Sequence, residues 1–278
     1  MKAFLLYGSV SLLSIYGYSQ VSDSASTGSK TNFVIGAAYN SAINYYGRTD
    51  SLHSKAFIPF TGINFRNGIY LNASFAFISN ELATKYAASI VETGYRFKNK
   101  KENWTGNIFV NGFFYDKQSG LVQSALKGSA GINLSHTNKI LNLNVGGDVK
   151  WSDAADFTAF AGLDHLFRTE QLGPGVLVID PSVYLYAGTQ RFTETYYQDK
   201  QFLIFPAGQE AITRSSSRFN LLSYELSCPV VYGYKKVQLI VNPSYVIPEN
   251  LISVPGRPDL SEQGTNLFYI VTAIRFTL

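Results

Sequence analysis

Three histidines, His53, His136 and His165, and a single cysteine, Cys228, are the chain's whole supply of imidazole and thiol groups. A serine hydrolase needs its histidine within hydrogen-bond reach of the nucleophile. His53 falls in a connecting loop, His136 in a tight turn, and His165 at the rim of an extended segment with no serine beside it. Asp164 cannot orient His165, because neighbours along a strand point to opposite faces. One cysteine excludes an internal disulfide and any cysteine-based zinc framework. No glycine-rich phosphate loop and no His/Asp/Glu metal spacing stands out, so no cofactor is expected. What remains is electrostatic. Glu92, Asp148, Asp164, Asp180 and Glu225 share one parity of strand-like segments with Arg66, Arg96, Arg168 and Arg275. Such charges either lock together as a buried network or act as a ring that selects ions.

The segments that must position these residues have a uniform rhythm. Apolar and polar residues alternate in twelve stretches of about ten to fourteen residues. They run near 32–46, 54–66, 68–79, 84–98, 104–116, 122–136, 140–151, 156–168, 175–189, 217–231, 236–247 and 265–278. In the seventh, Leu141, Leu143, Val145, Val149 and Trp151 take one face, and Asn142, Asn144, Asp148 and Lys150 the other. The closing "LFYIVTAIRFTL" has an uncharged face ending in Ile274, Phe276 and Leu278, while Arg275 lies on the opposite one. Charged residues are only 15% of the chain, and Phe and Tyr number 20 and 19. With a mean hydropathy of +0.00, the chain is too polar for a bundle of membrane helices. Basic residues are scattered, which argues against nucleic acid as a partner.

The first residues, "MKAFLLYGSVSLLSIYGYSQ", have a positive start, an apolar core and small residues at Gly17 and Ser19. This is the pattern of a signal peptide over residues 1–19. A polar leader follows over 20–31, and the remaining domain spans 32–278. Connections after even-numbered segments are mostly short, those after odd-numbered ones mostly longer.

Long alternating strands, an even count and aromatics near their ends resemble the outer-membrane β-barrel proteins of Gram-negative bacteria. The resemblance implies an all-β fold, a single antiparallel transmembrane barrel of twelve strands, with ten or fourteen as neighbouring counts. It implies short periplasmic turns, longer extracellular loops, and outer-membrane lipid as the surrounding partner. It also implies recognition of the last strand by the barrel-insertion machinery, through Ile270, Ile274 and Phe276; Leu278 stands where phenylalanine is usual. Within such a barrel Tyr184 and Tyr186 join the inward charges as lumen-lining candidates and take up bore. Pro59, Pro181 and Pro243 each delete a ladder bond and are expected near strand ends or bulges. The longest connection, 189–217, carries "FLIFP" and could plug the lumen, but the simpler expectation is that its flanking strands continue past the membrane. The proline-rich 247–263 is expected to form a rigid cap. Functionally the chain reads as a narrow passive channel for a small solute or ion, or as a largely closed structural barrel. The alternatives are a lipid-modifying hydrolase at the barrel surface and a secreted soluble ligand-binding β protein.

Overall fold

Side chains with a period of two give a strand one face for each environment, and the chain uses that period throughout its wall. The structure, a computed structural model, describes residues 30–49, 53–81, 83–116, 126–151, 155–170, 173–202, 205–252, 262 and 264–278, with the side chains of 190–217 outside that description. Residues 1–19, most of the 20–31 leader and most of 247–263 therefore lie outside the described residues.

The wall has twelve antiparallel strands. They are β1 Asn32–Asn40, β2 Lys55–Asn64, β3 Ile69–Ser79, β4 Thr84–Lys98, β5 Trp104–Tyr115 and β6 Gly128–His136. Then come β7 Asn142–Trp151, β8 Ala155–Asp164, β9 Ser182–Phe202, β10 Phe205–Ser227, β11 Val237–Pro248 and β12 Leu267–Thr277. Short pieces Phe167–Thr169, Val176–Ile179 and Val230–Tyr234 extend β8, β9 and β10 toward the end of the barrel that carries the tight turns.

Each strand pairs with the next. β12 pairs with β11 and also with β1, from Val34↔Thr277 to Asn40↔Val271, so the sheet closes into a ring. Leu278 N–H donates to the Phe33 carbonyl at 2.8 Å and fastens the seam at its end. An unpaired backbone group in hydrocarbon costs several kcal/mol, and closure removes both sheet edges.

The middle band of the ring's outward parity carries no charge: Ile35, Leu71, Ile108, Val110, Leu143 and Val241 are typical of it, and Lys55 stands at the loop end of β2. Aromatics flank that band on both sides. Trp104, Tyr95 and Phe167 are exposed toward the turn end, and Phe57, Phe114 and Phe268 toward the loop end. An apolar belt between aromatic girdles is the lipid-facing surface of a membrane-spanning barrel.

Segment boundaries moved in three places. The first strand stops at Asn40 rather than near 46, and the next five residues or so turn inward. The sixth begins at Gly128 rather than 122. β9 and β10 run on to Phe202 and from Phe205, beyond the last wall contacts at Gly188 and Ser223, so they form a long two-stranded ribbon. The continuation of the flanking strands was the simpler expectation for 189–217.

The prolines sit where ladder bonds are already missing. Pro59 coincides with a gap in the β2–β3 register between Phe57↔Phe77 and Phe60↔Ser74. Pro181 lies in the break ahead of β9, where its carbonyl accepts from His165 N–H at 3.2 Å. Pro243 is inside β11, opposite the break between Ser227 and Val230, and its carbonyl accepts from Cys228 N–H at 3.1 Å.

Candidate functional site

The inward parity is polar along much of the bore, and cross-strand register decides which groups meet. On the β2–β6 side, Arg96 donates to Asn64 at 2.7 Å and its guanidinium lies over the Tyr70 ring at 4.3 Å. The Tyr70 hydroxyl accepts from Asn107 Nδ2 at 3.3 Å, and Asn107 Oδ1 accepts from Asn133 at 3.1 Å. Glu92, 6% exposed, accepts from Asn72 at 3.4 Å.

Farther round the wall, Thr158 stands directly opposite Asp148 and hydrogen-bonds to it. Lys150, 2% exposed, places Nζ 2.8 Å from Asp148 Oδ2 and donates to Thr158 at 2.7 Å. Breaking one side of such a pair leaves an uncompensated charge. Lys150→Met is therefore expected to destabilise the folded barrel by about 3–5 kcal/mol. Adding Asp148→Asn should restore most of the loss. Urea unfolding in lipid vesicles measures both; a double variant no more stable than the single would separate the two residues energetically.

Elsewhere in the β7–β10 sector, Asp164, Asp180 and Glu225 carry no arginine or lysine ion pair among the described residues. Asp164 accepts from Asn142 Nδ2 at 2.6 Å and also from Asn144 Nδ2. Asp180, 9% exposed, occupies the break ahead of β9, with its N–H donating to the Pro229 carbonyl at 3.0 Å. Glu225 accepts from the Tyr269 hydroxyl at 2.9 Å. Phe160, Tyr184 and Tyr186 cluster beside them, with ring centroids 6.0–6.1 Å apart. Tyr184 lies flat against the wall over Gly162, where a Cβ would overlap its ring.

The loop after β1 enters this bore. Asn44–Tyr45 pairs with Arg48–Thr49 as a short hairpin. Its two turn residues, Tyr46 and Gly47, have φ of 52° and 79°. Two successive positive φ values are the signature of the tight type I′ turn. Space favours Gly47 as well, because a Cβ there would sit tightly against Pro248, at 3.0 Å. The Tyr46 ring, 6% exposed, meets Tyr186 at a centroid distance of 5.0 Å and hydrogen-bonds to Thr158 on the far wall. Burial above all, then the neighbouring Tyr45 and Asp148, pushes the Tyr46 phenol well above its ordinary range, so it stays neutral.

Arg48 holds the hairpin in place. Its Nε donates to Glu262 Oε2 at 2.9 Å, and its Nη1 to the carbonyls of Tyr46 and Leu222 at 3.1 Å each. Its Nη2 donates to the Glu249 carbonyl at 2.9 Å. Glu262 also accepts from Ile252 N–H at 3.0 Å, which ties the loop after β11 into the same knot. A charged guanidinium 9% exposed, with every nitrogen bonded to protein, is a latch rather than a surface residue.

Of the residues named from the sequence, Glu92, Asp148, Asp164, Asp180, Glu225, Arg96, Tyr184 and Tyr186 are on the inward side, as is Arg275, which stands level with Gly36 and Gln238. Arg66 is a correction. It lies exposed in the turn between β2 and β3, outside the bore, because β2 ends at Asn64. Arg168 is at the turn-end rim, 39% exposed and paired with Glu170 at 2.9 Å. Alternation carries the first segment through Tyr46 and leaves Arg48 in the loop beyond it, which hides the hairpin. The signal available was "NYYGRT", a two-residue turn between polar ends. His165 hydrogen-bonds through Nδ1 to the Ile140 carbonyl and packs on Phe167 at 4.4 Å. Among the described residues no serine bonds to a histidine, and no group of three or more His, Cys, Asp or Glu is arranged to hold a metal.

No protein-family model matches the chain, and no curated protein matches it. Among solved structures it is similar to a KdgM porin (8% identity, TM-score 0.46, covering 87% of this chain and 98% of that one). It is similar to the NanC porin (11% identity, TM-score 0.46, 88% and 100% covered). An anion-selective porin from Comamonas acidovorans aligns with 10% identity, TM-score 0.25 and 89% and 98% covered.

Proposed function

We propose that the chain is a narrow passive channel of a bacterial outer membrane, for small ions or solutes, closed down at one mouth by the Tyr46–Arg48 hairpin. The observation that carries this reading is a polar, charge-bearing inner face inside a closed ring whose outer face has no charge across its middle band. A barrel serving only as a scaffold can fill its core with apolar side chains and avoid the desolvation of Lys150, Glu92 and Asp164. The tight turns then face the periplasm and the hairpin closes the extracellular mouth, in line with the usual orientation of such barrels.

The Asp164, Asp180 and Glu225 sector biases the bore toward cations, since rings of like charge set ion preference. Purified protein in a planar bilayer is expected to pass small, single-channel currents. Under a salt gradient the reversal potential should lie on the cation side. A reversal on the anion side would reject the selectivity. Absence of current from the wild type and from Arg48→Ala alike would reject the channel.

A further inference from the structure

The Asp164 and Asp180 carboxyl groups lie within hydrogen-bond range of each other. Both are more than nine-tenths buried. Asp164 is supplied with amide donors from Asn142 and Asn144, which suit an ionised carboxylate. Asp180 is not: its Oδ1 has no hydrogen-bond partner at all. Two carboxylates this close cannot both stay charged without either a proton or a cation between them. Tyr184 is within electrostatic reach of both and of Glu225, so a third negative charge bears on the same sector. A shared proton would cancel one of these charges; a divalent cation cancels two.

We propose that the Asp164–Asp180 pair is a binding site for one hard divalent cation, Ca²⁺ or Mg²⁺, on the lumen wall. The site is not a closed protein cage. Its protein donors are the two carboxylates, and water in the bore completes the coordination. That is how Mg²⁺ is commonly held, by one or two carboxylates with several waters retained, while Ca²⁺ accepts mixed carboxylate and water oxygen sets. Among the described residues no histidine or cysteine joins the pair, which argues against a transition metal. Asp180 owes its position to the break at Asp180–Pro181, which interrupts the strand and sets its side chain against Asp164.

The test uses the full chain, folded in lipopolysaccharide-free detergent, stripped with chelator and dialysed. CaCl₂ and MgCl₂ are titrated separately by calorimetry, and the heat-denaturation midpoint is read with and without each ion. The expected result is one ion bound per chain by at least one of the two metals and a raised midpoint with that metal. Asp180→Asn, nearly the same size and shape, should weaken binding by more than about tenfold, and Asp164→Asn likewise. Glu92→Gln, elsewhere on the wall, should bind as the wild type does. Heat-modifiable gel migration establishes that each variant is folded. No response of the wild type to either ion overturns the proposal, as does full binding by both aspartate variants. A midpoint that responds to pH and to neither metal identifies a shared proton instead and also overturns it. None of these readouts needs a current, so failure here leaves the channel reading standing, and a silent bilayer leaves this one standing.

Discussion

Replacing Arg48 by alanine should raise the mean bilayer conductance of the folded protein many-fold. The guanidinium makes hydrogen bonds to Glu262, Tyr46, Leu222 and Glu249, all between 2.9 and 3.1 Å. Hydrogen bonds to charged groups are each worth about 1.5–3 kcal/mol. Loss of only about 3 kcal/mol from the seated state shifts a seated-to-released ratio by roughly a hundredfold. The wall closes through its own strand pairing, so heat-modifiable migration should be unchanged. Tyr46→Ala gives a second measure. It removes the ring that meets Tyr186 at 5.0 Å while keeping the latch, so it should widen the bore and raise conductance without increasing open–closed switching. Equal conductance in the wild type and both variants would mean that the hairpin is not the obstruction.

The second large effect concerns the outer face. Val110→Arg, near the middle of β5, should destabilise the barrel by about 2–4 kcal/mol, the cost of an arginine on the lipid face at the bilayer midplane. Phe114→Arg lies on the same face of the same strand but in the girdle, and should cost about 0–1 kcal/mol. Both residues are exposed to the surroundings, at 46% and 61%. In water, substitutions at such exposed positions would be nearly neutral. Unfolding in vesicles of defined thickness reads the difference directly. Equal, small costs at both positions would mean that β5 does not face hydrocarbon.

How far the architecture could be read from the chain follows from what alternation encodes. A period of two with an uncharged parity assigns faces strongly, since a one-residue slip would put Asp148 or Glu92 into lipid. All twelve strands and the ring closure are legible for that reason. Ends are less legible. Beyond the membrane the ribbon of β9 and β10 no longer needs an apolar parity, so nothing in "TQRFTETYYQDK" marks where the wall stops. Parity puts Arg66 in the bore only when it is extended two residues past Asn64, into a turn where it has no meaning. The hairpin was hidden for the same reason in reverse. "AAYNSAINYY" continues an alternation that the backbone abandons at Asn40. Contacts such as Arg48 with Leu222, or Asp164 with Asp180, depend on shear and on strand breaks, which a single sequence does not encode locally.

The latch joins the beginning of the barrel to its end. Arg48 and Glu262 are 214 positions apart in the chain, and the strands that flank them, β1 and β12, are the pair that closes the ring. Contacts so distant along the chain form only after the intervening segments have found their neighbours. The stopper therefore cannot be seated while assembly is still in progress. A barrel arrested before its final strand comes home would stand uncorked in the membrane, and sealing would report that construction is finished.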